Sequence, residues 1–417
     1  METIADWQDL DMPNFKAVQA EKPLEGRKIL VIVENLPLPF DRRVWNECQT
    51  LVAAGAQVCV ICPTGKNYEK KYELIEGVHI YRHDLPLEAK SKSEYFLEYF
   101  SAIFHETRLA WKIFFKHGFD TIQGCNPPDF MCLIALQFKL FGRRYIFDHH
   151  DICPELYEVK FNKKGPLWKV MSWLEDLTFW TADVIIASNE SLREIAQTRG
   201  KKKPENVYVV HSGPELNRLK VVPPNPAWKN GREAMVGYVG VIAEQEGMDL
   251  LMPAIKEVVI DKGRDVQFVI VGSGPGLADA KQMATDLGID DWVTFTGRSP
   301  DEELFEILST ADLCVNPDSV NPFNDKSTMN KILEYMAFSK PTVQFDMQEG
   351  RNSAQEASLY AAANDTSDFA AKILELVDDP AKRKWMGAYG RKRIETELSW
   401  DYQVNSLVGA YVRAKQV

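Results

Sequence analysis

A chain of 417 residues is longer than one ordinary hydrophobic core supports, so two domains are expected. With 45% hydrophobic and 26% charged residues and a formal net charge of −11, the composition is that of a soluble globular protein; it argues against a general nucleic-acid binder. No run of 18 apolar residues occurs, the acidic start METIADWQDLDMPNF lacks a signal-peptide core, and seven scattered cysteines suit a reduced compartment, so a cytoplasmic location is expected.

Residues 1–26 read as an arm with little apolar periodicity, and the D-x-D of Asp9 and Asp11 within it follows no strand, so it is read as chance. Lys28 to Glu34 is an apolar strand, followed by a loop with two Leu-Pro pairs, a helix ending at Gly55 and a strand from Gln57 to Ile61. Cys59 and Cys62 lie within that second strand and read as buried thiols. Arg42 and Arg43 stand near a helix N-terminus at a strand's C-terminal edge, suited to an anionic ligand or, equally, to an ion pair. Residues 92–118 and 156–180 repeat aromatic residues at helical spacing, among them Phe96, Tyr99, Phe104, Trp111 and Phe115, with interspersed lysines such as Lys160 and Lys163. They read either as core or as a surface lying on anionic lipid.

Arg144 to Asp148 is a strand that runs directly into His149, His150 and Asp151, where open α/β sheets bind ligands. Strands at 182–187 and 207–210 complete a first domain over 27–214; the Pro- and Asn-rich stretch 215–233 reads as a linker. A second domain over 234–396 opens with the strand Met235 to Gly240. Gln267 to Gly272 leads into Ser273-Gly274-Pro275-Gly276, and Trp292 to Gly297 is a further strand before Arg298. Residues 397–417 read as a terminal helix.

The stretch Ala311 to Met347 carries the chemistry. A strand (Leu313 to Val315), a loop, a helix (Ser327 to Phe338, capped by Asp325, Ser327 or Thr328) and a strand (Thr342 to Phe345) form one parallel crossover unit. Free amides at the helix start attract phosphate. Ser327, Lys331 and Glu334 share a face, with Glu334 ~10 Å along the axis from Ser327. A diphosphate on the first turn and a ribose diol on the Glu334 carboxylate fit that span. The alternative is a surface helix with solvated Lys331 and Glu334.

KILEYMAFSKPTV, together with the HHD run after RYIFD, VGSGP, and the YVG opening of the second half, resembles the retaining family-4 (group 1) glycosyltransferases. The resemblance extends over nearly the whole chain from Lys28. It implies the GT-B fold: α/β, two Rossmann-like domains with a deep interdomain cleft and a C-terminal helix crossing back to the first. It further implies transfer of a sugar from a nucleotide-diphosphate sugar to a sugar or lipid-linked acceptor, with retention by front-side attack and neither metal nor cofactor. On this resemblance the donor is held by Gly240, Gly274, Arg298, Lys326, Ser327, Thr328, Lys331 and Glu334. The first domain supplies the acceptor side through Arg42, Arg43 and Asp151, and His150 bonds the transferred sugar.

Three departures stand out. Lys326 replaces the first glutamate of the family's E-x7-E, and Val241 and Glu246 replace the arginine and lysine that clamp the diphosphate. A relocated clamp is expected, with Lys326 taking the place of the lost charges; this makes His150, Lys326 and Glu334 the catalytic candidates. The same departures leave open a non-catalytic nucleotide-sugar-binding partner or, in the same fold, a nucleotide-sugar 2-epimerase.

Overall fold

The computed structural model describes residues 15–84, 92–161, 164–243 and 246–417. Asp9 and Asp11, Lys163 and the side chains of Phe96, Tyr99 and Lys160 lie outside the described residues. The chain divides into two compact units, one running through Ser212 and including Trp400–Val417, the other Gly213–Ser399.

The first unit is built on eight strands: β1 (Lys28–Val33), β2 (Gln57–Pro63), β3 (Tyr72–Ile75), β4 (Val78–His83), β5 (Thr121–Cys125), β6 (Arg144–His149), β7 (Val184–Ala187) and β8 (Val207–Val209). Their order is β3-β4-β2-β1-β5-β6-β7-β8, and every pair is parallel except the edge pair β3 and β4. Helices cover both faces of such a sheet, which is why ILVIV (Ile29 to Val33) and VIIA are unbroken apolar runs. Right-handed crossovers put helix Arg42–Ala53 on one face and Lys92–Lys116, Met131–Lys139 and Pro166–Thr181 on the other. The strand order reverses between β1 and β5, so the loops after these strands part and leave a crevice at their C-terminal ends.

The expected arm is partly core. Phe15–Glu21 is helical, and Val18 and Leu24 are buried in the cluster that holds Val44 and Leu51 of Arg42–Ala53. Burying two such side chains is worth about 3–6 kcal/mol. The same cluster contains Val404, Leu407, Val408 and Tyr411 of the last helix, Trp400–Gln416. Trp400 Nε1 donates to Thr50 Oγ1 at 3.0 Å, and His211 N donates to Gln403 Oε1 at 3.0 Å. This helix belongs to the first unit although the whole second unit precedes it in the chain.

The second unit has six parallel strands: β9 (Ala234–Val239), β10 (Val266–Val271), β11 (Val293–Gly297), β12 (Leu313–Asn316), β13 (Thr342–Phe345) and β14 (Ser358–Ala361). The order is β11-β10-β9-β12-β13-β14, reversing between β9 and β12. The stretch expected as a linker is packed onto this unit. Leu219 is buried beside Phe305 and Leu308, and Asn225 N donates to Thr310 Oγ1 at 2.8 Å.

Candidate active site

The crevice of the second unit lies where the loops after β9 and β12 separate, and the helix Asn330–Ala337 starts there. That helix begins three residues later than the sequence suggests. Its N-cap is Met329, which makes no side-chain cap. Ser327 Oγ instead donates back to Phe323 O at 2.8 Å, and Asp325 Oδ1 accepts from Gln348 N at 2.8 Å. Lys326 closes the short 3-10 turn Asn324–Lys326, and Thr328 lies between that turn and the helix. Lys331 is therefore a first-turn residue, and Glu334 is only ~6 Å along the axis from Asn330, not ~10 Å.

Lys331 is not solvated. Its side chain is 11% exposed, and Nζ donates to Glu246 Oε2 at 2.8 Å and to Asp318 Oδ1 at 2.8 Å, standing 5.0 Å over the Tyr238 ring. Burial disfavours the ammonium, yet Asp318 and Glu246 hold its pKa above the ordinary lysine range. Burial pushes the Asp318 carboxyl up to about 6 against the pull of Lys331, with the Glu246 anion adding to the rise. The carboxylate that replaces the family's lysine thus faces a lysine supplied from another element, and the three side chains sum to a formal charge of −1.

Glu334 is also engaged, its Oε1 lying 3.5 Å from Arg218 Nη2, while Arg218 Nη1 reaches Asp301 Oδ2 at 3.0 Å. Arg298 is exposed, directly after Gly297 at the end of β11. Gly240 and Gly274 are required by the chain's own packing. A Cβ on Gly240 would stand 2.7 Å from the Tyr238 hydroxyl and 3.4 Å from Lys331 Cε, and one on Gly274 would stand 2.3 Å from Ile242 O. The loops after β9 and β10 interlock there, with Ile242 N donating to Ser273 O at 3.1 Å.

In the first unit, β6 delivers two histidines to different surroundings. His149 is buried and stacks on Phe147 at 5.0 Å; burial pushes its pKa down to about 3, so it stays neutral. His150 directly follows β6. Its Nε2 lies 2.7 Å from Asp148 Oδ2 and 3.0 Å from Arg43 Nε. Arg43 Nε donates to that nitrogen, so the ring is held between the guanidinium and the Asp148 carboxylate. Asn126 Oδ1 fixes the backbone here, accepting from His150 N at 2.7 Å and Asp151 N at 3.1 Å.

Arg43 is neither a surface ion pair nor poised for a ligand. Its side chain is 9% exposed, and Nη1 donates to Val210 O at 2.7 Å and Ser212 Oγ at 3.2 Å. Nη2 lies 3.1 Å from Asp148 Oδ1 and 3.2 Å from Glu47 Oε1. Burial works against every charge in this cluster. His150 and Arg43 nevertheless hold Asp148 well below the usual carboxylate range, while burial and the Asp148 anion push Glu47 well above it. Gln123 Nε2 donates to both, to Glu47 at 2.6 Å and Asp148 at 2.8 Å, and Tyr411 OH of the last helix donates to Gln123 Oε1. Cys125, Asp148 and His150 bring donor atoms within 4.8 Å of one another. Arg43 already supplies the cation to two of the three, and burial keeps the Cys125 thiol well above its ordinary pKa, so this is a hydrogen-bonded network and not an ion cage. Arg42, beside it, is exposed.

The structure therefore gathers Lys331, Glu246, Asp318 and Gly240 in the second unit and Arg43, Asp148, His150 and Asp151 in the first. Sequence reasoning missed Asp148, Asn126, Asp318 and Arg218. Asp148 lies one residue before the end of β6 and Asn126 directly follows β5, a strand-end signal that marks both; Arg218 carries no such signal.

Comparison with known proteins agrees with this architecture. The family described as Glycosyltransferase Family 4 matches residues 41–218, and that described as Glycosyl transferases group 1 matches residues 233–379. Alpha-maltose-1-phosphate synthase of Mycolicibacterium smegmatis is 26% identical over 300 residues, 65% of this chain and 73% of that protein. Other curated relatives match over 37% to 52% of their own length. Among solved structures, sucrose-phosphate synthase from Thermosynechococcus elongatus superposes with a TM-score of 0.74 at 19% identity, covering 91% of this chain and 96% of the other. Anabaena HepE in complex with UDP-glucose gives a TM-score of 0.67 at 16% identity, covering 92% and 99%. The two family matches fall one on each unit, and the fold they share with these structures is GT-B. The chain belongs to the family-4, group 1 glycosyltransferases.

Proposed function

We propose that this glycosyltransferase takes a sugar from a nucleoside-diphosphate sugar and passes it, with retention of configuration, to a sugar or lipid-linked acceptor in polysaccharide or glycoconjugate synthesis. The observation that carries the reading is the start of helix Asn330–Ala337 at the β9/β12 reversal, with Lys331 in its first turn and Glu334 on the next. HepE, of the same fold, was solved with UDP-glucose, which supports a donor of this class.

In this reading the diphosphate rests on the first-turn amides, where the helix supplies about half a positive charge. Lys326, at the turn before the helix, adds a full charge as the nucleotide departs; in a family that normally uses two cations, this is the stabilisation left for the leaving group. Glu334, oriented by Arg218, accepts from the ribose diol, and the ~6 Å separation suits a ribose next to a diphosphate. His150 hydrogen-bonds a hydroxyl of the transferred sugar, its ring held by Asp148 and Arg43. The bond from the anomeric carbon to the phosphate oxygen breaks as the acceptor oxygen bonds to the same face, and the acceptor's proton passes to the departing phosphate. No metal is used.

One observation favours a second reading. Lys331 is spent on Glu246 and Asp318, which suits a chain that binds the nucleotide sugar without turning it over. Incubation with a panel of radiolabelled sugar nucleotides tells the readings apart. Slow release of free sugar supports the transferase; binding without turnover supports the non-catalytic partner, and interconversion of epimers a 2-epimerase.

A further inference from the structure

We propose that the outer face of helices Lys92–Lys116 and Met131–Lys139 docks the first unit on the surface of an anionic lipid bilayer. The aromatic stripe splits between two fates. Phe119 and Phe138 are core, and Phe114 packs against both at 5.3 and 5.4 Å. On top of that rigid base lie Phe115, Leu140 and Phe141, which are 79%, 86% and 53% exposed. Phe115 and Phe141 are joined through Trp111: Phe115 stacks on Trp111 at 5.7 Å, and Trp111 meets Phe141 edge-on at 5.6 Å. Phe104 continues the stripe about three turns up the same helix from Phe115, 61% exposed. Helix Pro166–Thr181, on the same side of the sheet, adds Trp173 and Trp180 at 58% and 73% exposed. Single exposed apolar residues need no explanation; a joined set of large aromatic ones does.

The charge around the patch selects the occupant. Residues 100–144 contain six cations; Lys139 and Arg144 face Asp183 at 2.8 and 3.8 Å, which leaves Arg108, Lys112, Lys116 and Arg143 for the patch. Of the three carboxylates in that stretch, Glu106 and Asp129 are buried and Asp120 is paired with Arg27. Arg143 stands over the Phe114 ring at 5.4 Å, so charge and aromatic surface are interleaved. This occurs in a chain whose net charge is −11. A second copy meeting this face across a two-fold axis would set the cations against each other. A bilayer offers both complements at once, anionic headgroups for the cations and an interfacial layer for Phe and Trp rings. No described helix is long and apolar enough to cross a membrane, so the contact is one of lying on the surface.

Vesicle flotation tests this directly, using the full chain with phosphatidylglycerol–phosphatidylcholine vesicles and with phosphatidylcholine alone. The wild type is expected to float with the anionic vesicles, less so at high salt, and to stay behind with the neutral ones. Phe115→Ser with Phe141→Ser, and separately Arg108→Gln with Lys112→Gln, are each expected to lower the partition coefficient about tenfold or more. All these side chains except the partly covered Phe141 are at the surface, and an unchanged thermal midpoint for the Arg108/Lys112 pair keeps the test valid should the aromatic pair fold poorly. The proposal is overturned by a wild type that ignores anionic vesicles, by variants that float as well as the wild type, or by a wild-type dimer in solution that the variants dissolve.

Discussion

Replacing Glu246 by Gln removes one of the two carboxylates that hold Lys331 Nζ at 2.8 Å, and takes the cluster of Lys331, Glu246 and Asp318 from a formal −1 to zero. If a nucleotide's phosphates settle on the helix start beside Lys331, they then escape one repulsion at about 6 Å. At an effective dielectric of about 20 that repulsion is worth about 3 kcal/mol, and salt reduces it to about 2 kcal/mol, or roughly 30-fold in affinity. The assay is calorimetric titration of UDP, GDP and ADP into wild type and Glu246→Gln near neutral pH. At least one nucleotide is expected to bind the variant about 10- to 30-fold more tightly, with the gap closing as salt is added. An unchanged or weaker affinity for all three refutes the reasoning, because it places the phosphates away from Lys331 or makes the Glu246 contact necessary to hold that lysine in place.

Lys326→Ala is expected to cut kcat about 100-fold and weaken nucleoside-diphosphate binding, with partial recovery in Lys326→Arg; normal kinetics would remove Lys326 from the mechanism. Asp148→Asn takes the anion from between Arg43 and His150, leaving a buried guanidinium short of a counter-charge, and a loss of about 3–5 kcal/mol in urea unfolding is expected. A loss below about 1 kcal/mol would mean Glu47 ionises in its stead. Asp318 sets a pH dependence. Its folded pKa, about 6, lies above the ordinary 3.8, so the folded state binds this proton more tightly. The stability it contributes is complete below about 3.8 and is lost as pH climbs through about 6. Nucleotide affinity should fall over the same rise, relative to Asp318→Asn measured in parallel, which cancels the nucleotide's own titration; parallel curves would exclude the carboxyl.

The parts of the fold legible in the sequence are those where one segment carries its own signal. KILVIV and VIIA show as strands because a parallel sheet buries both faces. The start of Asn330–Ala337 was misread because Asp325, Ser327 and Thr328 all resemble caps, whereas Ser327 and Asp325 bond elsewhere. Val18 and Leu24 lie in a polar stretch with too few apolar residues to show a period, and packing against Arg42–Ala53 and Trp400–Gln416 explains them. Arg43 is the clearest limit. From the sequence it is one of two arginines at a helix start, while its partners Asp148 and Val210 lie 105 and 167 residues away. Charge networks closed over such distances leave no local trace, and the same holds for Lys331 with Glu246, 85 residues apart.

The placement of Trp400–Gln416 sets a schedule for synthesis. The second unit has all its residues before this helix is made, whereas the first sheet has eight strands and still lacks the segment that seals Val44, Leu51, Ile146 and Val184. The nascent chain thus carries an uncovered apolar face until the ribosome has passed Tyr411, and a stop codon anywhere before residue 400 would leave that face open for good. Expression of residues 1–212 alone should yield aggregate, and linking the last 18 residues to that fragment should restore a soluble product.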